Sequence, residues 1–191
     1  MTNIEDFHHY KGNNLTPAEQ VERKFAELLI NSDLPDSDRE SSIIWELKHS
    51  SGCCQIARIL AQKRGLDIEI AEVSALLHDI YVVVEGKYSN HAALGAPIAQ
   101  KLLEEAGGFT SKQIETIVKA IAHHSQKEIY SDDPYVELVK DVDVFDCSLY
   151  RGSGNYYKLH KPAEIVEEYT KRTDAVRNEL GLPKGDIFRN E

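Results

Sequence analysis

Apolar residues recur at helical spacing along almost the whole chain. Thr16-Pro17-Ala18-Glu19 reads as a capping box with proline at the first helical position, and Val21, Phe25, Leu28 and Leu29 follow on one face. The polar run from Asn31 to Asp38, with Pro35 inside it, ends that helix. Ile43, Ile44 and Leu47 lead into a segment carrying Ile56, Ile59 and Leu60, and Gly65 stands in a helix-terminating position. Asp67 caps a helix with Ile70, Val73, Leu76 and Leu77 on its apolar side. The stretch from Tyr81 to Asn90 is shorter and less regular; its Tyr-Val-Val-Val run has strand character but no partner strand. The next helix starts near His91, carries Leu94, Ile98, Leu102 and Leu103, and ends at Gly107-Gly108. Thr110 and Gln113 form a second capping box ahead of Ile114, Ile117, Val118 and Ile121. Pro134 opens a helix with Leu138, Val139 and Val142, residues 151–155 read as a loop, and Pro162 opens a last helix that Gly181 closes. Roughly seven helices with short connections and no convincing strands predict an all-α bundle.

Composition narrows the class. The chain has 191 residues, of which 41% are hydrophobic, enough for one ordinary domain with a real core. No apolar run approaches the ~20 residues that span a bilayer; the longest, Ile68 to Val84, is broken by Glu69, Glu72, His78 and Asp79. The acidic start, Met1 to Asp6, lacks a signal-peptide layout, so a cytoplasmic location and no membrane partner are expected. Cys53, Cys54 and Cys147 make an odd count without a C-x-x-C pair, which predicts reduced, partly buried thiols. A net charge of −10 repels a phosphate backbone, so the expected partner is a small phosphorylated molecule and not a nucleic-acid polymer. A bound divalent cation reverses the potential inside a pocket while the outside stays acidic. A homodimer is compatible with this composition.

The chemistry sits in the histidines. Five of the eight, His49, His78, His91, His123 and His124, fall where apolar helical segments meet turns, His49 and His91 at helix starts and the others at helix ends. Side chains from several helices converge at such places. The strongest feature is Ala75-Leu-Leu-His78-Asp79-Ile80. Consecutive helical residues diverge by about 100°, so a His-Asp pair facing one core needs a shared partner, and a divalent cation accepts both imidazole and carboxylate. Among the carboxylates of Lys140-Asp141-Val142-Asp143-Val144-Phe145-Asp146, Asp143 lies one turn from Val139 and is expected to point inward, with Asp141 and Asp146 as surface charges.

His49, then His78-Asp79, then Asp143, in this order along a helical chain, resembles the HD superfamily of metal-dependent phosphohydrolases. The surrounding sequence is similar as well: His49-Ser-Ser-Gly-Cys-Cys-Gln-Ile-Ala57, Asn90-His-Ala-Ala-Leu-Gly-Ala96, Ala120-Ile-Ala-His-His-Ser125 and Lys140-Asp-Val-Asp143. The resemblance covers about 49–151 and implies a single helical HD-domain bundle: a core over 39–151, an N-terminal helix and loop over 1–38 packed on it, and a C-terminal loop and helix over 152–191, for which it suggests no role. It implies His49, His78, Asp79 and Asp143 as ligands of one divalent metal (iron, manganese, cobalt, nickel, zinc or magnesium), and His91 and His124 as ligands of a second, with Asp79 bridging.

Metal-activated water attacking a phosphomonoester, phosphodiester or phosphoanhydride is the implied reaction, with a nucleotide as the expected substrate. Asp79 positions the attacking oxygen, His123 binds phosphate or orients a ligand, and Arg58 and Lys127 are the candidate cations for the phosphoryl oxygens. A non-catalytic nucleotide and metal sensor and an HD-type di-iron oxygenase are the alternatives. The Ile80-Tyr81-Val82 that follows the dyad departs from the Ile-Gly-Lys of the cyclic-di-GMP phosphodiesterase branch.

Overall fold

The computed structural model describes residues 15–183 and 185–189; the start of the chain, used above to argue against a signal peptide, lies outside them. Nine α-helices are found among the described residues and no strand. They are α1 (Pro17–Ile30), α2 (Ile43–Arg64), α3 (Ile68–Leu76), α4 (Ile80–Glu85), α5 (His91–Ala106), α6 (Ser111–His123), α7 (Pro134–Ser148), α8 (Ser153–His160) and α9 (Ala163–Leu180).

The starts and stops follow local chemistry. Both capping boxes form, Thr16 with Glu19 and Thr110 with Gln113, and Asp67 and Asp133 accept from the first-turn amides of α3 and α7. Gly65, Gly86 and Gly181 close α2, α4 and α9 in the left-handed region.

From Ile70 to Leu76 every side chain of α3 is buried, so it is the central helix and carries no polar face. One apolar cluster joins α1, α3, α4, α5 and α6 around Phe25, Leu77, Ile80, Leu103 and Ile117. A second lies on the other side of α3, where Leu60 of α2, Leu138 and Val142 of α7 and Val176 of α9 meet. The two clusters hold the helices that frame one opening between the middle of α2, the α3–α4 turn, the start of α5, the end of α6 and the middle of α7.

Several sequence expectations are corrected. The Tyr-Val-Val-Val run, expected to be irregular for want of a partner strand, is helix α4, whose own turn satisfies the backbone groups that no ladder is there to pair. Three of the five residues of the expected loop at 151–155 belong to α8. His49 does not start a helix: α2 begins six residues earlier, capped by Ser42. Cys53, Cys54 and Cys147 are free and buried, as expected, and no helix among the described residues is long and apolar enough to cross a membrane.

Candidate metal centre

Four imidazoles and two carboxylates converge at the opening. His49 projects from the second turn of α2, His78 and Asp79 stand in the turn joining α3 to α4, His91 opens α5, His124 caps α6 and Asp143 sits mid-α7. Asn90, at φ 54°, supplies the left-handed residue that swings the chain into α5 and points His91 back at the turn; asparagine takes that conformation more readily than most residues.

Each imidazole is oriented by its Nδ1. His78 donates to the Ala75 carbonyl at 2.7 Å, His91 to the Tyr88 carbonyl at 2.7 Å and His124 to the Ile121 carbonyl at 2.8 Å. These acceptors are carbonyl oxygens, so the proton is on Nδ1 and the Nε2 lone pair is free to face the site. His49 Nδ1 meets Asp146 Oδ2 at 2.7 Å.

The Nε2 atoms pair off. Those of His49 and His78 are 3.1 Å apart, with Asp143 Oδ1 3.3 Å from the first and Asp79 Oδ2 3.4 Å from the second. Those of His91 and His124 are 3.0 Å apart, with Asp79 Oδ1 at 3.2 and 3.4 Å. Lone pairs in such contact repel unless a cation lies between them. Asp79 thus turns one oxygen to each group, and its Oδ1 is buried without a hydrogen-bond donor, which is costly unless a positive charge satisfies it. The donor set, imidazole nitrogen with carboxylate oxygen, suits a divalent metal.

Charge follows the same division. Burial lowers the pKa of His78 to about 4 and also keeps His124 neutral. Burial opposes a charge on His49 too, yet its pKa stands well above the ordinary imidazole value because Cys53, Cys147, Asp143 and Asp146 surround it. The two carboxylates are the physical cause, since burial itself pushes the Cys53 thiol up and keeps it protonated. A proton on His49 therefore takes a cation's part in the first group. Asp79 is drawn well below the usual carboxylate range, burial notwithstanding, because any proton taken up by the facing imidazoles of His78, His124 and His91 favours its charged form. Asp143 is likewise depressed against burial, by Lys127 and then by His49 and His78.

The remaining predicted residues divide. Lys127 is buried beside the ligands, pairing with Asp143 and donating to the His124 carbonyl at 2.6 Å. Arg58 is not in the site: it lies between Glu22 and Glu72, and the cleft walls do not include it. His123 is exposed and bonds Gln126 at 3.0 Å; consecutive helical residues diverge, so with His124 turned inward His123 faces out. Asp146 is no surface charge but is 4% exposed, three residues beyond Asp143 on the same face of α7. Asp141 is half-buried as well, paired with Arg64 and Arg172.

Sequence reasoning also missed the other side of the opening. A cleft of about 830 Å³ leads to these side chains, and its walls include Trp45, Tyr88, Tyr150, Arg151, Tyr156, Tyr157 and Lys161, with Glu40 at the same mouth. The density of tyrosine between Tyr150 and Tyr157 was the available signal.

These features define a helical metal-binding domain of the histidine-aspartate type. The HD domain family model matches residues 47–147, more than half of the chain, and the chain belongs to that family. HD domains bind divalent metals and mark metal-dependent hydrolases, in accord with the clusters seen here. Among its relatives are proteins named ribonuclease Y: that of Lawsonia intracellularis is 32% identical over 141 residues, covering 73% of this chain and 24% of that protein. The ribonuclease Y of Desulforamulus reducens is 34% identical over 140 residues, with the same coverage. That of Clostridium perfringens is 35% identical over 146 residues, 75% of this chain and 26% of that protein. The chain spans about a quarter of the length of these curated relatives. No solved structure matches.

The relatives overturn the expectation that nucleic-acid polymers are excluded, since proteins sharing this domain are named for acting on RNA. Net charge is a sum over the whole surface. What a strand meets at a cleft is the local field, and here Lys127, Arg151 and Lys161 stand among Glu40, Asp79 and Asp143, a balance that the net charge of the whole chain does not describe.

Proposed function

We propose that the chain is a metal-dependent phosphohydrolase that cleaves a phosphate ester of a ribonucleotide, free or within an RNA strand. The observation that carries this is the meeting of two ligand groups on the two oxygens of one buried carboxylate, Asp79. His49, His78, Asp79 and Asp143 would hold one divalent ion, and Asp79, His91 and His124 a second. Six protein ligands exceed what one catalytic ion uses if it keeps open positions for water and substrate. When bound, the metal supplies a water of lowered pKa and neutralises charge on the phosphoryl group.

The protein's own residues do the rest. Asp79 and Asp143, both held ionised, keep the site anionic enough to draw a cation inward. Asp146 fixes the His49 ring, and the carbonyls of Ala75, Tyr88 and Ile121 fix the other three. Lys127 places a buried ammonium at the rim of the ligand cluster, where turning from Asp143 brings it to a phosphoryl oxygen. The ribonuclease names of the relatives support the ribonucleotide part of this assignment.

The test is metal counting and a substrate panel on the purified chain with its Asp79→Asn variant. Wild type should retain about two divalent ions per chain and hydrolyse ribonucleotide phosphate esters. The variant should lose metal and turnover while keeping its helical circular dichroism. Wild-type turnover in the variant with its metal retained would overturn the assignment.

A further inference from the structure

The cleft is larger than a phosphoryl group requires. At about 830 Å³ it falls within the roughly 300–1,000 Å³ of sites that enclose whole ligands, and the ligand cluster occupies one wall only. The facing wall comes from the α7–α8 turn and α8, beyond the residues that match the family.

Three features of that wall bear on what it takes. Tyr156 lines the cleft with 58% of its surface exposed, its ring edge-on to Tyr157 and 4.4 Å from the His160 ring. Its backing is rigid: Tyr157 is buried against Tyr169 and Phe188, and the backbone of Arg189 ties the turn at Ser148 and Gly152. With His160 packed against its ring, Tyr156 still leaves more than half of its surface exposed for another ring to meet. Second, Arg151 and Lys161 line the same cleft, and neither makes an ion pair among the described residues. Glu40 also lines the cleft, yet in a chain of net charge −10 two cations left without an acidic partner on one wall favour an anionic ligand there. Third, Trp45 stacks on the ligand His49 at 5.4 Å and 14°, and Tyr150 packs on Trp45 at 4.8 Å, so aromatic surface reaches from the ligands toward the rim.

We propose that this wall is a nucleotide-recognition surface. Tyr156 stacks the base of the unit whose phosphate meets the ligand cluster, and Arg151 and Lys161 hold a second phosphate. A planar base with two phosphates is the shared chemistry of a single-stranded oligoribonucleotide and a nucleoside polyphosphate. Stacking tolerates every base because each has a π-face, so the wall selects nucleotides without selecting sequence. The proposal rests on the hydrolase assignment above but is separable from it.

The experiment compares a pentaribonucleotide, its abasic counterpart and a nucleoside triphosphate on the manganese-loaded full chain. Wild type should prefer the base-bearing pentamer over the abasic one by about 5- to 150-fold, the range that one stacked base supplies, with the difference in KM and not in kcat. Tyr156→Ala should collapse that preference, and Tyr156→Phe should restore it. Arg151→Ala and Lys161→Ala should each weaken binding and lower the slope of log affinity against log salt by about 0.7. A loss in the pentamer arm or the triphosphate arm supports the wall and identifies the source of its ligand. An unchanged preference in Tyr156→Ala, with unchanged salt slopes in both cation variants, overturns it. If the wild type turns over none of the substrates, the hydrolase assignment fails, and fluorescence-anisotropy binding of the same pentamers to the same variants then decides the wall by the same preference.

Discussion

Asp146 lies behind the site, touching no cation position of its own, and its removal should weaken metal binding through His49. The bond from His49 Nδ1 to Asp146 Oδ2 is 2.7 Å long, with His49 and Asp146 only 2% and 4% exposed. Hydrogen bonds to charged groups contribute about 1.5–3 kcal/mol, equivalent to about 10- to 150-fold in an equilibrium constant. Outer partners of metal-bound histidines usually carry about 10- to 100-fold in affinity or activity. Asp146→Asn keeps an acceptor oxygen but loses the charge, so metal affinity should fall by about tenfold or more with little change in stability. Asp146→Ala leaves a buried N–H unpaired, adding about 1–3 kcal/mol of destabilisation, or several degrees in Tm. Gly52→Ala attacks the same bond from the other side. A Cβ there would lie 2.0 Å from Asp146 Oδ1 and 2.8 Å from its Cγ, so the carboxylate must move away from His49. Metal affinity measured by competition with a chromogenic chelator checks all three, with circular dichroism and melting as controls. If Asp146→Asn and Gly52→Ala bind metal like wild type, Asp146 does not set the position of His49.

Arg58→Ala should leave turnover within about twofold of wild type while lowering Tm by several degrees, since its pair with partly exposed Glu22 contributes little but its loss leaves the buried Glu72 carboxylate unpaired; a large loss of turnover by steady-state assay would return Arg58 to the site. Metal binding must displace the proton that Asp143 and Asp146 favour on His49, so apparent affinity should rise with pH and protons should be released on titration, as isothermal calorimetry in buffers of different ionisation enthalpy would show; affinity that is flat with pH would contradict it. Glu46 is fully buried, with one carboxylate oxygen unpartnered, and burial followed by the nearby Asp79 charge raises its pKa from 4.5 to about 7. The folded state thus holds an extra proton between those values, and the associated stability, present below about 4.5, is lost as pH rises through about 7. The Tm difference between wild type and Glu46→Gln should therefore shift against wild type from about pH 5 to pH 8; a constant difference would show that Glu46 titrates as in the unfolded chain.

The all-helical class and the helix caps lay open in the sequence because each depends on short-range chemistry, whereas the two short helices α4 and α8 did not. Thr16, Asp67 and Thr110 act on amides within one turn, Pro134 fits the first helical position, and the apolar spacing of α6 reports its burial directly. The order His49, His78-Asp79, Asp143 was legible for a different reason: it is a pattern of residue types, and the structure brings those side chains together. What the chain alone could not decide were matters of phase and partnership. Arg58 and Lys127 are both cations near a ligand in sequence, yet Glu22 and Glu72, from two other helices, hold the first and Asp143 draws in the second. Asp146 reads as a surface charge until α2 is laid against α7, with Gly52 giving its carboxylate room to reach His49. The aromatic wall belongs to helices outside the matching motifs, and only the packing of Tyr157 on Tyr169 and Phe188 brings it to face the ligands. A candidate ligand set can be read from residue type and spacing, whereas the residues packed around it are chosen by contacts between helices far apart in the chain, which no local pattern encodes.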